Sequence, residues 1–219
     1  MISPKLILAV LFVLISTIGF AHPHDSLDAN TPFRKGRWFA LMGGVINSGS
    51  VVKPDSAQSN KQFSNNYAFN ISGYKLIKKR FGIGFILDIA RSSDEELFID
   101  ESEIFNVGPS VRYYLANLRQ GGAYVQSTVT YSRFYNRIAL LDLANPVDKV
   151  LKGSGPGISL GLGYGYVFKD IVSLDIGFRF ANSWLSGENV DQITNISNDT
   201  NFRRLSFSFS FGLGILIGK

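Results

Sequence analysis

The fold is decided by the run Leu205-Ser206-Phe207-Ser208-Phe209-Ser210-Phe211-Gly212-Leu213-Gly214-Ile215-Leu216-Ile217. Large apolar residues occupy every odd position, and Ser or Gly occupies every even position except Leu216. Successive side chains of a β-strand point to opposite faces, so this period of two predicts a strand. Ser and Gly suit a crowded interior better than a surface in bulk water, where Lys, Glu or Thr is usual. The apolar face is therefore predicted to point outward, as it does in a barrel that lies in lipid.

Seven earlier segments show the same alternation of bulky and small residues, and with the last one they predict eight strands. They cover residues 37–46, 65–76, 81–91, 103–115, 122–134, 156–168 and 171–183. The 219-residue chain is 13% aromatic and holds 22 glycines, a composition that favours β structure. We predict an all-β fold over residues 37–219: an eight-stranded antiparallel transmembrane β-barrel with up-and-down connections, present as a monomer.

The connections alternate between long and short. The long ones cover 47–64, 92–102, 135–155 and 184–202, and the short ones cover 77–80, 116–121 and 169–170. Transmembrane barrels have short periplasmic turns and long external loops. The pattern therefore predicts four long extracellular loops and both barrel termini on the periplasmic side of a bacterial outer membrane.

The N-terminus has the features of a secretory signal. Lys5 is followed by an apolar run over 6–18 and by Gly19-Phe20-Ala21, which places small residues at the positions read by signal peptidase. We predict a cleaved signal peptide over 1–21 and a short periplasmic segment over 22–36. The alternative is a transmembrane anchor, although the run is short for the ~20 residues that a spanning helix needs.

The segment Phe105-Asn106-Val107-Gly108-Pro109-Ser110-Val111-Arg112-Tyr113-Tyr114 resembles the Gly-Pro-x-x-Arg-Tyr-Tyr strand of the small OmpA/OmpX-type outer-membrane β-barrels. Gly73-Tyr74 before the first short turn is a weaker match. The resemblance covers about residues 37–219. It implies an eight-stranded barrel embedded in outer-membrane lipid.

The residues of the chain do not favour catalysis. Eight-stranded outer-membrane enzymes resemble one another in needing a His together with a Ser. The two histidines here, His22 and His24, lie beside the predicted cleavage site and far from the predicted strands. A Ser nucleophile would lack its usual general base. The chain has no Cys and no cluster of His, so no metal site or other cofactor is predicted.

Four charged residues fall on inward positions of the predicted strands: Asp88, Arg112, Asp175 and Arg179. An Arg that faces lipid near the midplane costs ~2–4 kcal/mol, so the inward placement is favoured. Inside the barrel these charges are expected to pair, because a lone buried charge is costly. The network is predicted to be a fixed plug that ties strands across the lumen. The alternative is a gate whose salt bridges switch.

Two charge clusters lie outside the predicted strands. The second long loop is acidic, with Asp94, Glu95, Glu96, Asp100 and Glu101, and it is interpreted as a solvated loop, with a divalent-cation site as the alternative. The basic run Lys78-Lys79-Arg80 is interpreted as a solvated turn and not as a nucleic-acid site.

The predicted function is that of a non-enzymatic outer-membrane protein that is structural or engages an external ligand or surface partner through its loops. One alternative is a narrow ion-conducting channel gated by the lumen charges, since an eight-stranded barrel leaves room for little more than side chains. A second alternative is a soluble lipocalin-like barrel that binds a ligand inside. That barrel would expose a face of Gly, Ser, Asn and Thr to water, which is poor for solubility.

Overall fold

A computed structural model describes residues 31–52, 61–94, 98–115, 120–140 and 146–218 of the chain. These residues form one closed antiparallel barrel in which each strand pairs with its neighbours in sequence and β1 pairs with β8. No helix among them is long and apolar enough to cross a membrane. The predicted eight-stranded up-and-down barrel is confirmed, with strands β1 Trp38–Val52, β2 Lys61–Lys78, β3 Phe81–Asp94, β4 Phe98–Tyr114, β5 Gly121–Leu140, β6 Val147–Phe168, β7 Val172–Asp191 and β8 Ile196–Ile217.

The register of the strands makes the barrel strongly tilted. The stagger is measured by following paired residues from one strand to the next around the barrel. A path that starts at Phe39 of β1 returns to β1 at Gly49, so the stagger is ten residues. Such a stagger accompanies a strand tilt of about 35–45°. The tilt leaves a lumen that side chains can fill.

The outer face carries the large apolar side chains, as the alternation predicts. On β7 and β8, for example, Phe178 is 51% exposed and Phe211 is 51% exposed, whereas Asp175 and Ser208 on the opposite parity are buried. Trp38, Tyr113 and Phe168 lie near the short-turn end of this band, and Tyr67, Tyr131 and Trp184 lie near the other end. Aromatic girdles of this kind mark the two interfaces of a membrane barrel. The outward apolar face excludes the lipocalin-like alternative, which requires that face to line the lumen.

The strands are longer than the sequence pattern predicts. β5 and β6 stay paired up to Leu140 and Val147, and β7 and β8 stay paired up to Asp191 and Ile196. Most of each predicted long loop is therefore strand, and the third and fourth connections are short. The prediction was wrong here because strands above the lipid no longer need one apolar face, so their alternation disappears from the sequence.

The start of the described chain closes the short-turn end of the barrel. Phe33 is fully buried and stacks on the inward ring of Tyr114, with ring centroids 3.7 Å apart. It joins an inward apolar cluster with Phe39, Tyr74 and Tyr124, among others. Residues 31–33 thus lie in the barrel mouth and not beside it. The predicted signal peptide and residues 22–30 of the predicted periplasmic segment lie outside the described residues.

Arg37 fixes this N-terminal plug to the last short turn, between β6 and β7. Its guanidinium donates to the Asp170 carboxylate at 2.6 Å and to the carbonyl oxygens of Asp170, Pro32 and Gly218. Lys169 and Asp170 both have positive φ, at 48° and 61°, as a tight hairpin turn of the primed kind requires. Although Arg37 lies on the short-turn rim, where solvent is close, it is buried, because four oxygens converge on it.

Replacing Leu162 with Arg tests the lipid-facing assignment. Leu162 lies in the middle of the outward apolar run of β6, and Arg near the midplane should cost about 2–4 kcal/mol of unfolding free energy in lipid vesicles. Ile196→Arg is the matched control, because Ile196 is equally apolar and 57% exposed but lies at the top of β8. Urea titration of both variants in vesicles measures the difference. Equal destabilisation would contradict a band of lipid around Leu162.

Candidate functional site: the charged lumen

All four sequence-predicted lumen charges face inward, and the fold joins them as two ion pairs. Arg112 of β4 contacts Asp175 of β7, with Nη1 and Oδ2 2.9 Å apart. Arg179, four residues further along β7, contacts Asp88 of β3, with Nη2 and Oδ2 2.8 Å apart. Because β7 lies across the barrel from β3 and β4, both pairs span the lumen.

Arg112 is held on every side. Its Nε and Nη2 donate to Gln126 Oε1 at 3.2 and 2.8 Å, and its guanidinium carbon lies 3.9 Å from the ring centroid of Tyr124 and 4.6 Å from that of Tyr74. The Tyr124 hydroxyl donates to the second oxygen of Asp175. A desolvated cation stacked on aromatic faces gains about 2 kcal/mol per favourable contact. All three nitrogens of the Arg112 guanidinium therefore have an acceptor: Nε and Nη2 have Gln126, and Nη1 has Asp175.

The second pair is more loosely enclosed. Asn70 donates to the other carboxylate oxygen of Asp88, so both oxygens of that carboxylate are used. The Arg179 side chain is 16% exposed, against 3% for Arg112. Arg112, Asp175 and Arg179 border a cavity of about 30 Å³, which has room for one or two water molecules, and Asp88 and Arg179 border a second cavity of about 20 Å³.

Apolar clusters lie at both ends of this polar layer. Below it is the cluster of Phe33, Phe39 and inward tyrosines. Above it a second cluster of buried residues crosses the lumen, with the rings of Phe134 and Phe202 5.8 Å apart in an edge-to-face contact. Its members are Val51, Ala90, Ile104, Phe134, Leu185 and Phe202.

The sequence reasoning missed two buried arginines. Arg37 belongs to the N-terminal plug described above. Arg204 of β8 lies 5% exposed in the upper lumen, and its Nε has no hydrogen-bond partner among the described residues. Its inward position could have been predicted, because Arg204 alternates in step with Ser206 and Ser208 and so lies on the same face of the strand. The predicted strand simply began one residue too late, at Leu205.

Three of the five acidic residues that were predicted to lie in a loop belong to strands. Asp94 ends β3, and Asp100 and Glu101 lie in β4, whereas Glu95 and Glu96 are outside the described residues. Asn136 of β5 donates to the Asp100 carboxylate at 2.8 Å and to the Glu101 carbonyl at 3.0 Å. Within the described ranges no group of three His, Cys, Asp or Glu side chains is placed to hold a metal ion. Through these two hydrogen bonds Asp100 and Glu101 help to pair β4 with β5.

Comparison with solved structures agrees with the barrel geometry. OprG, an outer membrane protein from Pseudomonas aeruginosa, superposes with a TM-score of 0.58 at 10% identity, covering 85% of this chain and 98% of that one. A major outer membrane protein from Thermus thermophilus gives a TM-score of 0.56 at 10% identity, covering 83% of this chain and 99% of that one. Ail, the attachment invasion locus protein of Yersinia pestis, gives 0.52 at 11% identity over 84% of this chain and 99% of Ail.

No family model matches the sequence, and no curated protein matches it. The likeness therefore lies in the fold: the number of strands, their order and the closed ring. Each of these solved structures is a bacterial barrel whose length this chain covers almost completely. The chain thus has the fold of the small eight-stranded β-barrels that lie in bacterial outer membranes.

Proposed function

We propose that this protein is a non-enzymatic, closed outer-membrane barrel that acts outside the cell by engaging partners through its strand hairpins. The observation that carries the proposal is the contrast between a filled lumen and strands that continue beyond the lipid. The interior holds two spanning ion pairs between two apolar clusters. The accessible chemistry is therefore on the external hairpins and the outer wall.

The lumen favours a fixed plug over an ion channel. An ion that crossed the barrel would have to pass Phe134 and Phe202 above, the paired charges, and Phe33 below. Two cavities among the described residues along this path have volumes of about 30 and 20 Å³, and paired lumen charges border both. Opening the path would require breaking buried ion pairs, which costs several kcal/mol.

The strands continue into the external part of the barrel. β3 to β8 remain paired in sequence, and the β1–β8 pairing runs to Val52 and Arg203, where the described part of β1 ends. Residues 196–202 of β8 therefore pair with β7 alone within the described part of the chain.

Ion pairs brace this external sheet. Arg137 contacts Asp148 at 2.8 Å between β5 and β6, and Lys152 contacts Glu188 at 2.8 Å between β6 and β7. Hydrogen bonds from Lys152 and Ser197 lower the pKa of the Glu188 carboxyl. Backbone N–H groups of Thr194 and Ile193 lower the pKa of Asp191 in the β7–β8 turn. Both carboxylates are ionised at neutral pH, so the hairpins present a fixed pattern of charge.

A non-enzymatic role is supported by the chemistry of the lumen. The buried hydroxyls of Ser110, Thr128 and Ser132 bond to other hydroxyls or to carbonyl oxygens and not to a base. The histidines of the chain, His22 and His24, lie outside the described residues. Each lumen carboxylate is paired with an Arg, so neither is available as a general base.

The closed lumen can be tested by conductance. In planar bilayers the full-length mature protein is expected to give no steady single-channel current, because the lumen is filled at three levels. Arg112→Ala and Arg179→Ala are measured alongside it. Steady wild-type currents that either substitution altered would establish the channel and refute the closed barrel.

The plug can be tested by stability. Arg112→Ala leaves Asp175 buried without its cation, so the unfolding free energy in detergent should fall by about 3–5 kcal/mol. In the double variant Arg112→Met with Asp175→Leu no buried charge remains, and most of that loss should be recovered. Urea midpoints measure both. An unchanged midpoint for Arg112→Ala would show that the charge pair does not tie the strands together.

The external role can be tested by shortening one hairpin. Replacing residues 187–200 with a two-residue Asn-Gly turn joins Ser186 to Asn201, which are already paired, and keeps the upper lumen cluster. The shortened barrel should insert and show the same heat-dependent mobility in SDS as wild type. In a strain that lacks the gene it should fail to restore the deletion phenotype. Full restoration by the shortened barrel would assign a purely structural role instead.

A further inference from the structure

The outer wall changes chemistry sharply at the upper edge of the apolar band. Pairing places Ile89, Phe105 and Arg133 side by side on neighbouring strands. The next outward row toward the external hairpins consists of Arg91, Glu103, Tyr135, Lys152 and Glu188. Of the residues named here, the lower row is apolar except for Arg133, and the row above it is charged except for Tyr135.

These two rows line a groove on the outer wall, which we name the rim groove. Its volume is about 980 Å³, far more than either lumen cavity. Ile89, Phe105 and Tyr131 form its apolar end, and Arg91, Arg133 and Lys152 contribute its cations. Its carboxylates are Glu103 and Glu188. The apolar end is continuous with the membrane-facing band, so acyl chains can reach it without leaving the lipid.

The cations of the rim groove are available to an anion. Arg133 has no carboxylate within ion-pair distance among the described residues. Arg91 and Glu103 are 3.6 Å apart with both side chains more than half exposed, which is a weak, solvated contact. Only Lys152 has a close partner, Glu188 at 2.8 Å. An anion at Arg133 therefore needs to break no strong ion pair.

We propose that the rim groove binds a phosphorylated glycolipid of the outer leaflet. A phosphate would accept hydrogen bonds from Arg133 and Arg91, whose planar guanidinium groups match its geometry. The acyl chains would pack on Ile89, Phe105 and Tyr131. A soluble anion would leave the apolar end uncovered, and an uncharged lipid would leave Arg133 unpaired. The proposal rests on the outer-membrane location proposed above but does not depend on the role assigned to the hairpins.

The test compares lipid retention by native mass spectrometry. The full-length mature protein is refolded in bicelles that contain diphosphorylated lipid A, the same lipid without its phosphates, or phosphatidylcholine alone. Wild type should retain one diphosphorylated lipid A. Arg91→Gln with Arg133→Gln should reduce retention about tenfold or more, as loss of charge-assisted hydrogen bonds implies.

Arg203→Gln is the matched control. Arg203 is an exposed cation on the outer face of β8, but it contacts Trp184 and Asn182 and does not line the rim groove. This variant should retain lipid A as wild type does. Heat-dependent mobility in SDS reports whether each variant is folded. If the double variant does not fold, lipid retention is measured for Arg133→Gln alone.

Three results would overturn the proposal. The first is equal retention of the dephosphorylated lipid, which would show that phosphate is not recognised. The second is equal loss in Arg203→Gln, which would show only a general effect of surface charge. The third is displacement of lipid A by millimolar inorganic phosphate, which would identify a soluble-anion site.

Discussion

The structure depends on one constraint: a backbone in lipid must satisfy its own hydrogen bonds. A β-sheet does so only when its first and last strands pair, and here β1 and β8 pair from Trp38 and Ile217 up to Val52 and Arg203. The ring is therefore closed along the whole of β1 that the structure describes. Above the lipid, water can satisfy backbone groups, so closure is a strict requirement only within the lipid.

A closed barrel of eight strands has little space inside. Small residues on the inward face leave room there for the large side chains that fill the lumen. The ring of Tyr124 fits in the lumen because the facing positions are Gly163 and Gly177. A Cβ at Gly163 would lie 2.4 Å from the Tyr124 ring, and one at Gly177 would lie 2.9 Å from its hydroxyl. Gly214 leaves similar room for Phe39. The Ser and Gly face of the last strand is therefore part of the packing that places aromatic rings around Arg112.

The parts of the fold that the sequence predicts are those governed by the period of two. The alternation of side chains between the two faces of a strand is enough to place Asp88, Arg112, Asp175 and Arg179 inside, because the other face of each strand must be apolar to contact lipid. The N-terminal plug obeys no period: Phe33 is buried because the lumen has space at its short-turn end. The upper strands carry no lipid-facing row, so their extent also escapes the pattern. Which Asp joins which Arg depends on the stagger of the barrel, and local sequence does not encode that stagger.

The order of charges on β7 bears on how this stagger is specified. The outward residues of β7 from Val172 to Phe180 are all apolar, so the lipid cannot distinguish the native register from a slip by an even number of residues. The inward charges can distinguish these two registers. A slip of four residues toward the periplasm would bring Arg179 to the place of Asp175, where it would face Arg112. Two buried cations would then oppose each other, at a cost that the apolar face could not offset. The two lumen ion pairs thus select a single register, a role that remains valuable even where their net contribution to stability is small.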